Sequence, residues 1–134
     1  MMNYLNVVYE ERDINKLSVL ALAYIGDSVF EICSRLSVFN SGNFHSLDMH
    51  KATVSLVNAK TQSAFSERLL NEFTEKEKEY FRRGRNAKVN SVPKGASVKQ
   101  YHEATGLETV FGYLYLSGQI DRINYLFSIL INED

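Results

Sequence analysis

Two carboxylates stand in the middle of helical, mostly apolar stretches. Asp27 lies in LSVLALAYIGDSVFEICSRL, Leu17 to Leu36, and Glu108 lies in the run from Val98 to Leu116. Each has a glycine close by, Gly26 beside Asp27 and Gly112 one turn after Glu108. A glycine inside a helix weakens it by roughly 1 kcal/mol relative to alanine. A carboxylate rarely enters a core without a partner. One explanation is packing: Gly26 lets a second helix approach closely, and Asp27 accepts a hydrogen bond from it. The sharper explanation is chemical. If the two helices cross at Gly26 and Gly112, Asp27 and Glu108 face each other. Two carboxylates with water and a phosphate oxygen make a hard-oxygen site suited to Mg²⁺. Such an ion activates water and stabilises charge on a phosphodiester in flight. Glu31, one turn after Asp27 and on the same side, is a further candidate. Spacing does not prove the meeting, because 81 residues separate the two carboxylates.

The second cluster is basic. From Tyr80 to His102 there are six basic residues, Arg82, Arg83, Arg85, Lys88, Lys94 and Lys99, and no acidic one. The rest of the chain, with nine basic and sixteen acidic residues, carries −7. A basic segment on an acidic body is the electrostatic footprint of a polyanion site. Part of the run also has an ordinary explanation, since cations suit a helix C-terminus.

Other chemistries fare worse. There is no GxxxxGK[ST] loop and no GxGxxG, so no nucleotide cofactor is expected. His45, His50 and His102 lack zinc-ligand spacing, and Cys33 is the single cysteine. His50, on a helix face, reads as a half-buried packing residue. The eight tyrosines and eight phenylalanines read as core material.

The elements that must position these residues are all helical. Asp13 or Asn15 is the expected cap of a first long helix running to about Leu36. Within it Leu22, Ile25, Val29, Ile32 and Leu36 form one stripe, opposite Leu20, Ala23, Tyr24, Asp27 and Glu31. Asn40, Ser41, Gly42 and Asn43 make a turn. Ser46 is the expected cap of the next helix, with a stripe of Leu47, His50, Val54 and Val57. Ala59 to Phe73 continues helically, with a kink near Asn58 left open. Thr74 and Glu77 form a capping box for a helix that runs through the arginines to Lys88. Val89 to Ser97 reads as a loop holding Lys94, interrupted by Pro93 and Gly95. Ser97 starts Val98–Leu116, Ser117-Gly118 closes it, and Gln119–Ile131 is a last amphipathic helix. No stretch alternates with period two.

The totals fit a single domain over residues 1–134. One cysteine excludes an intrachain disulfide and fits a reducing compartment. The first residues lack the shape of a signal peptide, and Asp27, Glu31 and Arg35 interrupt the longest apolar run. No membrane association and a cytoplasmic location are therefore expected.

Five blocks resemble a known family. LAYIGDSVFE, Leu22 to Glu31, resembles the signature helix of the ribonuclease III catalytic domain, and LETVFGYLYLSG, Leu107 to Gly118, resembles that domain's second acidic helix. YFRRGRNAK, the VPKGAS loop and YHEATGLE resemble the Mini-III subgroup, which consists of the catalytic domain alone. The resemblance spans roughly Leu17 to Leu130 in matching order. It implies an all-α, dimerising endonuclease domain that cuts double-stranded RNA with Mg²⁺, or Mn²⁺ as a substitute. It implies Asp27 and Glu108 as catalytic and metal-holding residues. Two further acidic positions of the larger relatives are occupied here by Ala23 and Thr105. Arg82, Arg83, Arg85, Asn86, Lys88, Lys94 and Lys99 are the expected RNA-binding residues. The implied substrate is precursor large-subunit (23S) ribosomal RNA, and the implied assembly is a homodimer. The apolar face of the Leu17 helix beyond core needs is the expected interface. The alternative is a non-catalytic helical RNA-binding dimer of the same fold, motivated by Ala23 and Thr105. A helical dimerisation protein without RNA is the third reading.

Overall fold

The computed structural model describes residues 3–42, 44–88 and 91–131. They form seven helices and, among the described residues, no strand: α1 (Glu11–Ile14), α2 (Val19–Asn40), α3 (Ser46–Val57), α4 (Ala59–Leu69), α5 (Glu75–Arg85), α6 (Val98–Leu116) and α7 (Ile120–Ile131). The all-α expectation holds. Helix α6 is the axis, with α2, α4, α5 and α7 packed around it. Its apolar residues are spread around the circumference, because neighbours cover it on nearly every side. The core is aromatic at its centre. Phe30 of α2 meets Phe111 of α6 and Phe127 of α7 edge-on, at 5.3 and 5.4 Å between ring centroids.

Several helix ends differ from the sequence expectation. The long helix is capped by Ser18, whose hydroxyl accepts the Ala21 N–H at 3.1 Å, and not by Asp13 or Asn15. Those two residues belong to the short α1 and its end. Helix α2 runs to Asn40, since nothing breaks it before Gly42, which adopts φ +91°. Asn43 lies outside the described residues. Ser46 is the first residue of α3 and not its cap. His45 holds the cap position without a side-chain cap bond.

The break at Asn58 is real, and Asn58 makes it. Its backbone is extended, its Oδ1 accepts the Thr61 N–H at 2.9 Å, and its Nδ2 donates to the Val54 carbonyl at 3.0 Å. One side chain thus ends α3 and starts α4. Helix α4 stops at Leu69, short of Phe73. The capping box of α5 forms as expected, Thr74 Oγ1 accepting Glu77 N–H at 3.1 Å and Glu77 Oε1 accepting Thr74 N–H at 2.9 Å. Glu77 is also 2 % exposed and pairs with Arg122 of α7 at 2.8 Å. Helix α5 ends at Arg85, capped by Asn86, so Lys88 follows the helix. Within the expected loop, Val89 and Asn90 lie outside the described residues.

The stripes also shift. The buried face of α2 is Leu22, Ala23, Gly26, Val29, Phe30 and Ser34. Ile32 and Leu36 are exposed, together with Leu20, Tyr24 and Phe39. On α3 the buried residue is Thr53, while Leu47, Val54 and His50 face outward. His50 is therefore not a half-buried packing residue. It lines an apolar groove of about 390 Å³ with Ile32, Leu36, Phe39 and Met49.

Candidate active site and the cleft beside it

Helices α2 and α6 cross at their two glycines. A Cβ built at Gly26 would overlap the Glu108 carbonyl oxygen and stand 2.7 Å from Gly112 N. One built at Gly112 would overlap the Leu22 carbonyl oxygen and stand 3.1 Å from Gly26 N. Any side chain at either position holds the backbones apart, so this contact requires glycine on both helices. The crossing brings Asp27 and Glu108 together across 81 residues of sequence.

The electrostatics follow from that geometry. Glu108 is half-buried and Asp27 exposed. Burial first, and then the neighbouring Asp27 carboxylate, push Glu108 from the usual 4.5 to about 8. Gln62 acts in the opposite direction. Like-charged carboxylates held in contact at a half-open site are stabilised by a cation. The two positions one turn earlier do not add to the set: Ala23 is apolar and buried, and the Thr105 hydroxyl donates to the Tyr101 carbonyl at 2.9 Å. Among the described residues no group of three or more His, Cys, Asp or Glu is arranged to hold a metal. Two hard-oxygen ligands fit Mg²⁺ nonetheless, because that ion retains several waters and is commonly held by one or two carboxylates with substrate phosphate. Glu31 does not join them; it pairs with Arg35 at 2.8 Å.

The basic residues divide into two sets. Arg82 is bound to Glu79 at 2.6 Å, and Lys99 pairs with Glu67 at 3.6 Å. Arg83 lies over the Tyr80 ring and contacts Asn15, and Arg85 lies over the Phe81 ring. Lys88 and Lys94 have no ion pair among the described residues. Helix α5 lies tightly on α6, because a Cβ at Gly84 would collide with the Thr109 side chain.

Lys94 lines a cleft of about 280 Å³ that opens beside Glu108. The opposite wall is the start of α4, with Asn58, Ala59, Lys60 and Gln62. Lys60 and Gln62 were missed in the sequence because they lie outside the acid-free segment.

Residues 20–119 match the family model of the ribonuclease III domain. Among curated proteins, the chain is 37 % identical to a Mini-ribonuclease 3 of Clostridium tetani, covering 96 % of this chain and 86 % of that one. It is 40 % identical to a Mini-ribonuclease 3 of Thermoanaerobacter sp., covering 86 % of this chain and 81 % of the relative. A crystal structure of a Fusobacterium nucleatum protein superposes with a TM-score of 0.83 at 31 % identity, covering 90 % of this chain and 98 % of that one. The family match, the relatives and the helical architecture agree: this chain belongs to the ribonuclease III family of endoribonucleases, in the Mini-ribonuclease 3 group.

Proposed function

We propose that this chain cleaves double-stranded RNA, working as a homodimer with a divalent cation, Mg²⁺ or Mn²⁺, held by Asp27 and Glu108. The observation that carries this reading is the pairing of the two carboxylates at the α2–α6 crossing. When bound, the ion supplies a Lewis acid that acidifies water and stabilises charge on the phosphodiester. Asp27 and Glu108 would hold it, with water and a substrate phosphate oxygen left to complete its oxygen ligands. The basic residues bind phosphate, with Arg82, Arg83, Arg85, Asn86, Lys88, Lys94 and Lys99 as the proposed set. Duplex RNA is read mostly through its shape, phosphates and 2′-hydroxyls. Weak, salt-sensitive binding follows from reliance on phosphate contacts.

The exposed apolar faces support the homodimer. Tyr24 is 78 % exposed, and Leu20, Ile32, Leu36 and Phe39 continue along α2 beside Phe44, Leu47 and Val54. A large exposed apolar patch marks an interaction surface. A symmetric pair of subunits covers it and offers one site to each strand of a duplex. The proposed substrate, precursor large-subunit ribosomal RNA, rests on the family resemblance, and the proposed cytoplasmic location on the single cysteine and the interrupted apolar run. Among the described residues, no helix is long and apolar enough to cross a membrane.

The test is incubation with a perfect RNA duplex, with Mg²⁺ and with chelator, beside Asp27→Asn and Glu108→Gln. Cutting that requires the ion and both carboxylates is the expected outcome. Binding without cutting would make the chain an RNA-binding relative limited by Ala23 and Thr105. Neither binding nor cutting would overturn the reading.

A further inference from the structure

Gln62 stands near the start of α4 and is 2 % exposed. It lines the cleft together with Thr105 and Glu108 of α6. A buried amide is normally hydrogen-bonded. Its Nε2 has no partner among the described residues apart from the Glu108 carboxylate, on which the amide acts. The amide therefore donates to one acid of the pair at the α2–α6 crossing. It does so without charge. A lysine in its place would also donate, but its cation would repel a metal ion and neutralise the carboxylate that should hold it.

The position of this amide is set by bonds that do not involve Glu108. The Gln62 N–H donates to the Asn58 carbonyl at 2.9 Å, and Asn58 caps the helix through the Thr61 N–H. Ser63, next to Gln62, donates its hydroxyl to the buried Glu103 carboxylate at 2.5 Å and ties α4 to the helix that carries Glu108. The other polar group close by is engaged elsewhere, since the Thr105 hydroxyl donates to the Tyr101 carbonyl. Gln62 is thus a fixed donor, and Glu108 is a long side chain that would otherwise sample several rotamers.

We propose that Gln62 is a positioning residue, whose amide holds the Glu108 carboxylate beside Asp27 in the orientation that takes up the divalent ion. This rests on the reading of the chain as a metal-dependent duplex-RNA nuclease. Gln62 acts through Glu108 and is not itself a ligand of the ion. With Ala23 and Thr105 contributing no acid, two carboxylates hold the ion, so the orientation of each counts for more. A hydrogen-bond partner behind a metal-holding group fixes its rotamer before the ion arrives, and loss of such a partner weakens metal binding by about 10–100-fold.

The experiment measures Mn²⁺ binding to RNA-free protein, from the fall in the paramagnetic resonance signal of free Mn²⁺. Wild type is compared with Asp27→Asn, Glu108→Gln, Gln62→Leu and Gln62→Met. Both Gln62 variants fill the buried space with an apolar chain and lack the amide, and thermal melting shows that they are folded. Each should bind Mn²⁺ about tenfold more weakly. Cutting of duplex RNA by these two variants should need about tenfold more ion, and excess ion should restore the rate to near that of wild type. That rescue separates positioning from a structural role, because excess ion does not repair a disturbed fold. Wild-type Mn²⁺ affinity in both Gln62 variants, with binding lost in Asp27→Asn and Glu108→Gln, would overturn the positioning role while the nuclease reading stands. A cutting rate that stays low in excess ion would overturn it as well. If wild type binds no more Mn²⁺ than Asp27→Asn and cuts no duplex, the nuclease reading falls and the positioning role falls with it.

Discussion

The α2–α6 crossing and the cleft at the start of α4 adjoin at Glu108, yet they are built on opposite terms. At the crossing, backbone lies on backbone, both glycines are buried and no side chain fits between the helices. In the cleft, Lys60 and Lys94 are exposed without an ion pair among the described residues, and the buried Gln62 amide acts on the Glu108 carboxylate. The first region is complete as folded. The second is open to solvent, with two exposed lysines on its rim. The contrast separates scaffold from binding surface within a few residues of one another.

The strongest way to break this contrast is to remove the close approach. Gly26→Ala should lower stability by about 3 kcal/mol or more, at the top of the range for overpacking, because the colliding atoms are backbone and cannot rotate away. Chemical denaturation reads this directly, and a wild-type midpoint would mean that the helices do not cross as described.

The second effect is a pH dependence of ion binding at the crossing. Glu108 holds a proton up to about pH 8 in the ion-free fold. Between its usual 4.5 and about 8 the folded state binds more protons than the unfolded one, so stability falls as pH rises through that window. A cation must displace the same proton. Its affinity should therefore rise about tenfold per pH unit below 8 and level off above it. Calorimetry in two buffers of different ionisation enthalpy should count about one proton released per ion. Ion affinity that is flat between pH 6 and 8 would separate Glu108 from the ion.

The third test sharpens the other half of the contrast. Gln62→Leu should raise the Glu108 pKa further, because it removes the hydrogen bond that opposes the effect of burial. The pH dependence of ion binding reads this shift, and an unchanged profile would separate the Gln62 amide from the Glu108 carboxylate.

The smallest expected effect concerns α5. Arg83→Ala with Arg85→Ala should reduce the salt slope of duplex binding by about two if both touch phosphate. Both side chains already lie over aromatic rings, so a smaller change would mean that they serve packing and that the cleft carries the phosphate contacts.

Much of this protein was legible in residue order. The capping box at Thr74 and Glu77 and the cap at Ser97 are local signals, and each appears where the pattern puts it. The two mid-helix Gly–carboxylate associations marked the crossing, because each breaks a helix-forming rule that only a close neighbour explains. What chain order left open depends on distant neighbours. The exposed side of α2 and α3 could not be assigned by apolar character, since Ile32, Leu36 and Leu47 are apolar and point outward all the same. Lys60 and Gln62 carry no signal of a site until α6 and the Lys94 loop stand opposite them across the cleft. The all-helical character and the caps at Thr74 and Ser97 are set by interactions over a few residues, so the sequence by itself determined them. Only the tertiary structure decided which carboxylate met which, which arginines were already engaged, and which amide came to lie beside Glu108. Those outcomes depend on distances between atoms that are remote along the chain.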